Sequence, residues 1–122
     1  MVLSFKPQFV EPILNGTKVH TIREDSFNRW KNGMKIHFAT GVRTKEYKQF
    51  KSGFCMGIQS IEIDFPRVRV DGMDLIFSKR LSLAKDDGFN GLQDFFEWFN
   101  KPFKGKIIHW TNLWIETHWL GE

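Results

Sequence analysis

Residues 16–25 carry the side chains best suited to chemistry, because Lys18, Thr21 and Arg23 follow one another at spacings of three and two. A Thr hydroxyl becomes a nucleophile when a base takes its proton. A Lys amine can be that base if burial or a neighbouring positive charge lowers its pKa, and Arg23 is near enough in sequence to supply such a charge. A strand with this many polar groups must give each of them a partner or water. We therefore expect this segment to form the wall of a site.

The same segment also allows a plainer interpretation. A set of surface salt bridges that contributes little to stability can include Lys18, Arg23, Glu24 and Asp25, and Thr is common in strands for packing reasons. Geometry separates the two interpretations, because residues three apart on an ideal strand face opposite sides of the sheet. For Lys18 and Thr21 to meet, Lys18 must lie in the turn after Gly16 or on a β-bulge.

The length and composition indicate one domain spanning residues 1–122, with 13 Phe and 5 Trp available to fill its core. The chain has no apolar run approaching the roughly 20 residues of a membrane helix and no apolar segment at its start, so we expect a cytoplasmic protein without a membrane partner. Cys55 is the single cysteine, and the four histidines lack the spacing of metal ligands. We therefore expect no disulfide, no metal and no cofactor.

Positive charge is concentrated in the first half of the chain. Residues 1–60 hold 10 Lys or Arg against 4 Asp or Glu, whereas residues 61–122 hold 8 against 10. A basic half favours a polyanionic or nucleotide-like partner, although a solvated basic face explains the same counts.

Hydrophobic periodicity and turn residues predict a chain made mostly of strands. We expect a first strand at residues 2–5, a helix that ends at Asn15-Gly16 and a polar strand at residues 18–23. Later predictions are a turn or short helix at 25–30, strands at 34–40, 54–65 and 107–113, a loop or irregular hairpin at 41–53, a hairpin turn at Asp71-Gly72, a helix around 92–99, and an aromatic tail with Trp114, Ile115 and Trp119. About six strands and two or three helices, without alternation of strand and helix, predict an α+β fold that is mainly β and built as a small barrel.

Two short motifs carry a resemblance to a known family. The pattern Gly16-x-Lys18-x-x-Thr21-x-Arg23 resembles the signature of the ASCH domain family, which belongs to the PUA-like superfamily of small β-barrels. In that family a helix precedes this strand, an acid-Gly-Phe turn like Asp87-Gly88-Phe89 precedes a later helix, and a final strand closes the barrel. The order of elements is similar over nearly the whole chain.

The resemblance implies a site and an activity. PUA-like domains mostly bind RNA or modified bases, and one ASCH branch removes the acetyl group of N4-acetylcytidine with a Lys, a Thr nucleophile and a Glu. Carried over by position, Lys18 is the base, Thr21 the nucleophile and Asp87 the residue closest to the family Glu. Asp is one methylene shorter, so its carboxylate would lie on the order of 1 Å further back unless the backbone compensates.

Further residues are predicted to bind substrate. Around the motif these are Arg23 and Glu24, with Trp30 as the first choice for an aromatic ring that stacks on a base. Arg43 and Lys45 are predicted contacts to phosphate, and Lys48 and Lys51 extend the same basic segment. The expected partner is thus RNA or a modified nucleoside. Three functions stay open, which are amide hydrolysis, RNA binding without catalysis, and RNA cleavage like that of another ASCH type.

Overall fold

The computed structural model describes residues 1–112, which form a mixed α+β fold made mostly of β-sheet. In this part of the chain there are eight strands: β1 (Val2–Ser4), β2 (His20–Arg23), β3 (Lys35–Thr40), β4 (Lys48–Phe54), β5 (Gly57–Asp64), β6 (Arg67–Val70), β7 (Met73–Asp74) and β8 (Phe103–His109). Residues 1–112 also contain three α-helices, α1 (Val10–Leu14), α2 (Phe77–Asp86) and α3 (Leu92–Trp98), and a 3-10 turn (Pro7–Phe9) precedes α1. The predicted aromatic tail, and Leu113 of the last predicted strand, lie outside the described residues.

The strands form two sheets. One has the order β1-β3-β4, with β1 parallel to β3 and β3 antiparallel to β4. The other has the order β2-β8-β5-β6-β7 and is antiparallel throughout. Along residues 1–112 the hydrogen bonds between strands therefore join two separate sheets rather than one closed barrel, and the coarser prediction of a mainly β, α+β fold is confirmed.

Strand β8 lies between two hydrophobic cores that form within the described residues. Ile107 packs into a core with α2 and α3, through residues such as Leu83 and Phe95. Ile108, the next residue, packs into a second core that includes Phe38 of β3. Because neighbouring residues of a strand point to opposite faces, a single strand joins both cores.

Most turns follow their predicted chemistry. Asn15 ends α1 and Gly16 follows with φ +86°, as expected for a left-handed helix terminus. Asp71 and Gly72 form the β6–β7 turn with φ +50° and +83°, the conformation of a tight two-residue hairpin. Within residues 41–53, predicted as a loop or an irregular hairpin, residues 41–47 form a loop and the rest belong to the regular strand Lys48–Phe54, which pairs with β3 as a hairpin.

Helix α2 is missing from the sequence predictions. Only Leu83 and Ala84 of its ten residues are buried, so its apolar pattern is too sparse to indicate a helix. The helix matters for the site, because its last turn leads directly to Asp87-Gly88-Phe89.

Candidate functional site

Lys18 lies in the turn before β2, which satisfies the geometric condition set by the sequence. After Gly16 the N–H groups of Thr17 and Lys18 both donate to the carbonyl oxygen of Pro12, at 2.9 Å each. Strand β2 starts only at His20. Because Lys18 lies outside β2, the alternation of side chains between the two faces of the strand does not apply to it. Its side chain lines the same cavity as that of Thr21.

The end of α2 holds the other half of the site. The N–H of Val19 donates to the carbonyl oxygen of Asp86 at 2.8 Å, which ties the segment before β2 to the C-terminus of the helix. Lys18 Nζ then donates to the main-chain oxygen of Asp87 at 2.5 Å and to its Oδ1 at 3.2 Å. A cation at this position also interacts favourably with the negative end of the helix dipole. Asp87 thus reaches Lys18 despite its short side chain.

Burial shapes the ionisation of this pair, since Lys18 and Asp87 are each only 3% exposed. Burial raises the pKa of Asp87 to about 6, against the opposing effect of the Lys18 charge. Burial also lowers the pKa of Lys18, while Asp87 acts in the opposite direction. Both shifts favour the neutral forms, so the two groups are closer in proton affinity than a Lys and an Asp in water.

Thr21 and Arg23 are joined by a direct hydrogen bond. Arg23 Nε donates to Thr21 Oγ1 at 3.1 Å, and the guanidinium also donates to the carbonyl oxygen of Ser4. The guanidinium carbon lies 4.9 Å from the centre of the Phe5 ring. Because Arg23 occupies an acceptor position of the hydroxyl, the hydroxyl proton of Thr21 remains available to a base.

A cavity of about 790 Å³ brings these groups together. Its polar wall includes Lys18, Thr21, Arg23 and Asp87. The lining also includes the aromatic residues Phe5, Phe9, Phe89, Trp98 and Phe99. Lys18 Nζ itself lies 4.8 Å from the centre of the Phe9 ring. The volume is in the range of small-molecule sites, and a few polar groups among aromatic side chains are the usual lining of such sites.

The remaining predicted substrate contacts are distributed differently. Arg43 lines the cavity. Glu24 is exposed outside it and accepts a hydrogen bond from the N–H of Ser26, and Lys45 is also exposed and lies outside the lining.

Trp30 requires a correction as a stacking residue. It is 9% exposed and packs in the core that contains Ile36 and Phe38. The two carboxylate oxygens of Asp25 accept from the N–H groups of Arg29 and Trp30, at 2.8 and 3.0 Å, and this cap turns the indole inward. The aromatic side chains of the cavity lining come instead from residues near α1 and α3.

Sequence reasoning did not include His20 among the site residues. His20 Nε2 lies 3.4 Å from Asp87 Oδ1, and the His20 and His109 rings are 5.3 Å apart across paired strands. His109 Nε2 in turn lies 2.9 Å from Gln59 Oε1. Burial lowers the pKa of His109 to about 3 and that of His20 well below its ordinary value, so burial favours the neutral form of both rings. The feature of the sequence that could have predicted His20 as a site residue is its position between Lys18 and Thr21.

Along residues 1–112, no group of three or more His, Cys, Asp or Glu side chains is arranged to hold a metal ion. No helix in the same range is long and apolar enough to span a membrane.

Comparisons of the chain with models of protein families, with curated proteins and with solved structures gave no match. The geometry of the cavity and the two motifs are therefore the features of the chain that bear on its function.

Proposed function

We propose that this chain is an ASCH-type hydrolase that cleaves the amide of N4-acetylcytidine-like substrates, with its two sheets as the two sides of a PUA-like barrel. The observation that carries the proposal is the convergence of the two motifs. Lys18 and Asp87, 69 positions apart in sequence, are hydrogen-bonded in a cavity that Thr21 and Arg23 also line. A surface that only reads a nucleic-acid backbone has no need of a buried Lys–Asp pair, because burying charges is costly.

In the proposed reaction Thr21 Oγ1 attacks the carbonyl carbon of the acyl group. Its proton passes to the neutral amine of Lys18, and Arg23 donates hydrogen bonds to the negatively charged oxygen that forms. The bond between the acyl carbon and N4 then breaks, N4 takes the proton from Lys18, and cytidine leaves. Water hydrolyses the acyl ester on Thr21, its proton again going through Lys18, and releases the carboxylic acid.

The Lys18–Asp87 pair can supply the neutral amine that this reaction needs. Transfer of one proton from Lys18 Nζ to Asp87 Oδ1, across 3.2 Å, converts the ion pair to a neutral pair without changing the net charge of the cavity. Burial favours this exchange, because it raises the pKa of Asp87 and lowers that of Lys18. Asp87 is then the carboxylate that holds the base in place and sets its protonation.

The test is the ultraviolet spectrum of N4-acetylcytidine incubated with purified protein. We expect conversion to cytidine by the wild type, a loss of roughly 1,000-fold or more for Thr21→Val, and partial activity for Thr21→Ser. Val keeps the branched shape of Thr in the strand and removes only the hydroxyl. Equal rates for the wild type and Thr21→Val would exclude Thr21 as the nucleophile, and no conversion at high protein concentration would refute the substrate.

A second candidate function is RNA binding without catalysis. The β3–β4 hairpin favours it, because Lys45, Lys48 and Lys51 are exposed and Tyr47, which lies among them, is 44% exposed. Cations interleaved with an aromatic ring suit a single strand of nucleic acid. Binding of an oligonucleotide that weakens steeply as salt rises, unchanged in Thr21→Val, would support this function.

A further inference from the structure

The cavity lining has an excess of positive charge. Within the described residues it includes four cationic side chains, Lys6, Lys18, Arg23 and Arg43, and one carboxylate, that of Asp87. Charges of one sign in a cleft with apolar walls focus the field and raise the local concentration of oppositely charged ligands. An acylated cytidine is uncharged, so the substrate proposed above makes no use of this excess.

The four cations divide into an inner and an outer pair. Lys18 and Arg23 are engaged with Asp87 and Thr21 inside the site. Lys6 lies over the Trp98 ring, with Nζ 5.4 Å from the ring centre, and Arg43 is exposed. Along residues 1–112, ion pairs with carboxylates involve neither Lys6 nor Arg43. The outer pair is therefore available to an anionic ligand.

Topology brings the outer pair to one edge of the fold. Strands β1 and β3 are parallel neighbours, with Ser4 opposite Ala39. Lys6 follows the end of β1 and Arg43 follows the end of β3, so both emerge where the two strands end. Their common position at the cavity results from the strand pairing.

The backbone around Arg43 is held in a tight and uncommon form. Arg43 has φ +66° and Gly41 has φ +62°, and the left-handed region is uncommon for a residue other than Gly. A Cβ at Gly41 would lie 2.6 Å from the carbonyl oxygen of Glu46, so only Gly fits there. Thr44 Oγ1 fixes the loop by donating to the carbonyl oxygen of Gly41 at 2.6 Å and accepting from the N–H of Glu46 at 3.1 Å. A loop built in this way holds Arg43 beside the cavity.

We propose that Lys6 and Arg43 bind a phosphate group of the substrate, so that the preferred substrate is an acylated cytidine carrying a phosphate rather than the free nucleoside. This inference rests on the proposed function for the identity of the base. The phosphate can belong to a mononucleotide or to an RNA chain, and both present the same anionic oxygens to Arg and Lys.

The experiment compares kcat/KM for N4-acetylcytidine, its 5′-monophosphate and a short oligonucleotide containing the same base. We expect the monophosphate to exceed the nucleoside by about 10- to 100-fold at low salt, and Arg43→Gln and Lys6→Gln each to reduce this ratio by about 10-fold. Arg67→Gln, an exposed cation of β6 outside the cavity lining, is the matched control and should leave the ratio unchanged. An oligonucleotide faster than the monophosphate would identify an RNA chain as the source of the phosphate.

The outcomes separate this inference from the proposed function. Equal kcat/KM values for the nucleoside and the monophosphate would refute the proposed phosphate site, whereas the proposed hydrolase function would still hold. If neither substrate is hydrolysed, the proposed hydrolase function is refuted. The affinities for cytidine and cytidine 5′-monophosphate, measured by titration, then test the phosphate site. Tighter binding of the monophosphate that Arg43→Gln removes would uphold the phosphate site, and equal affinities would refute it.

Discussion

Two groups of basic side chains in this protein differ mainly in their access to water. Lys18 is 3% exposed and pairs with an equally buried carboxylate, whereas Lys45, Lys48 and Lys51 of the β3–β4 hairpin are exposed. Electrostatic interactions in a buried site are screened little, so they change proton affinities and stability. Exposed charges are screened by salt within about 10 Å, and their individual effects are small. The same residue type therefore has a shifted pKa in one region and contributes only long-range attraction in the other.

The buried and the exposed lysines should differ most in their contribution to the free energy of unfolding. Lys18→Met removes the cation and leaves Asp87 buried without it, which should lower the free energy of unfolding by about 3–5 kcal/mol in urea titrations. Lys48→Met on the hairpin should change it by less than about 0.5 kcal/mol. Adding Asp87→Leu to Lys18→Met should recover part of the loss, because no buried charge remains. Similar losses for Lys18→Met and Lys48→Met would remove the distinction between the two groups.

The pH dependence of stability should reveal the buried carboxyl. Burial raises the pKa of Asp87 to about 6 in the folded protein from an ordinary value of 3.8, so the folded state binds this proton more tightly than the unfolded state. Its contribution to stability is then fully present below about pH 4 and is lost as the pH rises through 6. Relative to Asp87→Asn, the wild type should lose on the order of 3 kcal/mol between pH 3.5 and 7. If the difference in free energy of unfolding between the two proteins does not change over this pH range, the pKa of Asp87 is not raised in the folded protein.

Two glycines give a sharper test of how Lys18 is held. Both Gly88 and Gly72 have positive φ, +97° and +83°, so Ala at either position should cost about 1–2 kcal/mol in backbone strain. A Cβ at Gly88 would also lie 3.1 Å from Lys18 Cδ, whereas one at Gly72 meets no atom within 4 Å. We therefore expect Gly88→Ala, but not Gly72→Ala, to reduce hydrolysis, by about 10-fold, because Lys18 must move by a few tenths of an ångström to accommodate the new Cβ.

Steady-state kinetics and thermal unfolding of both variants would check this expectation. Gly72→Ala serves as the control for strain without contact. Equal activity of the two variants would mean that the position of Lys18 does not limit the reaction.

The smallest expected effects are on the hairpin. Replacing Lys45, Lys48 and Lys51 together with Gln should leave the free energy of unfolding within about 0.5 kcal/mol of the wild type. If the hairpin contacts RNA, the slope of log affinity against log salt for a single-stranded oligonucleotide should fall by about 2, since each lost phosphate contact to a single strand accounts for about 0.7. An unchanged slope in fluorescence titrations would show that these lysines face solvent only.

Local chemistry in the sequence predicted several elements well. The Asn15-Gly16 helix end, the Asp71-Gly72 turn and the strand predicted at 34–40 are specified by residues adjacent to one another, and the structure contains them, with the strand at Lys35–Thr40. The strand predicted at 54–65 is shorter, Gly57–Asp64, because Cys55 and Met56 separate it from β4, and the strand predicted at 107–113 lies earlier, at Phe103–His109. Helix α2 was missed because it buries two residues and is held in place by contacts with distant parts of the chain. Trp30 was misjudged because Arg29 and Lys31, its neighbours in the sequence, are cations and suggested exposure, whereas its N–H bonds to Asp25 and its indole packs in the core.

The sequence by itself determined the reactive residue types, the need for Lys18 to stand outside its strand, and the mainly β character of the fold. The tertiary structure alone decided that Asp87 reaches Lys18, that His20 lies beside both, and that Arg43 shares the cavity while Glu24 and Lys45 do not. The physical reason is that periodicity and turn propensity act over a few residues. Burial, and the pKa shifts that follow from it, depend on which distant segments the packing of the two sheets and α2 brings together.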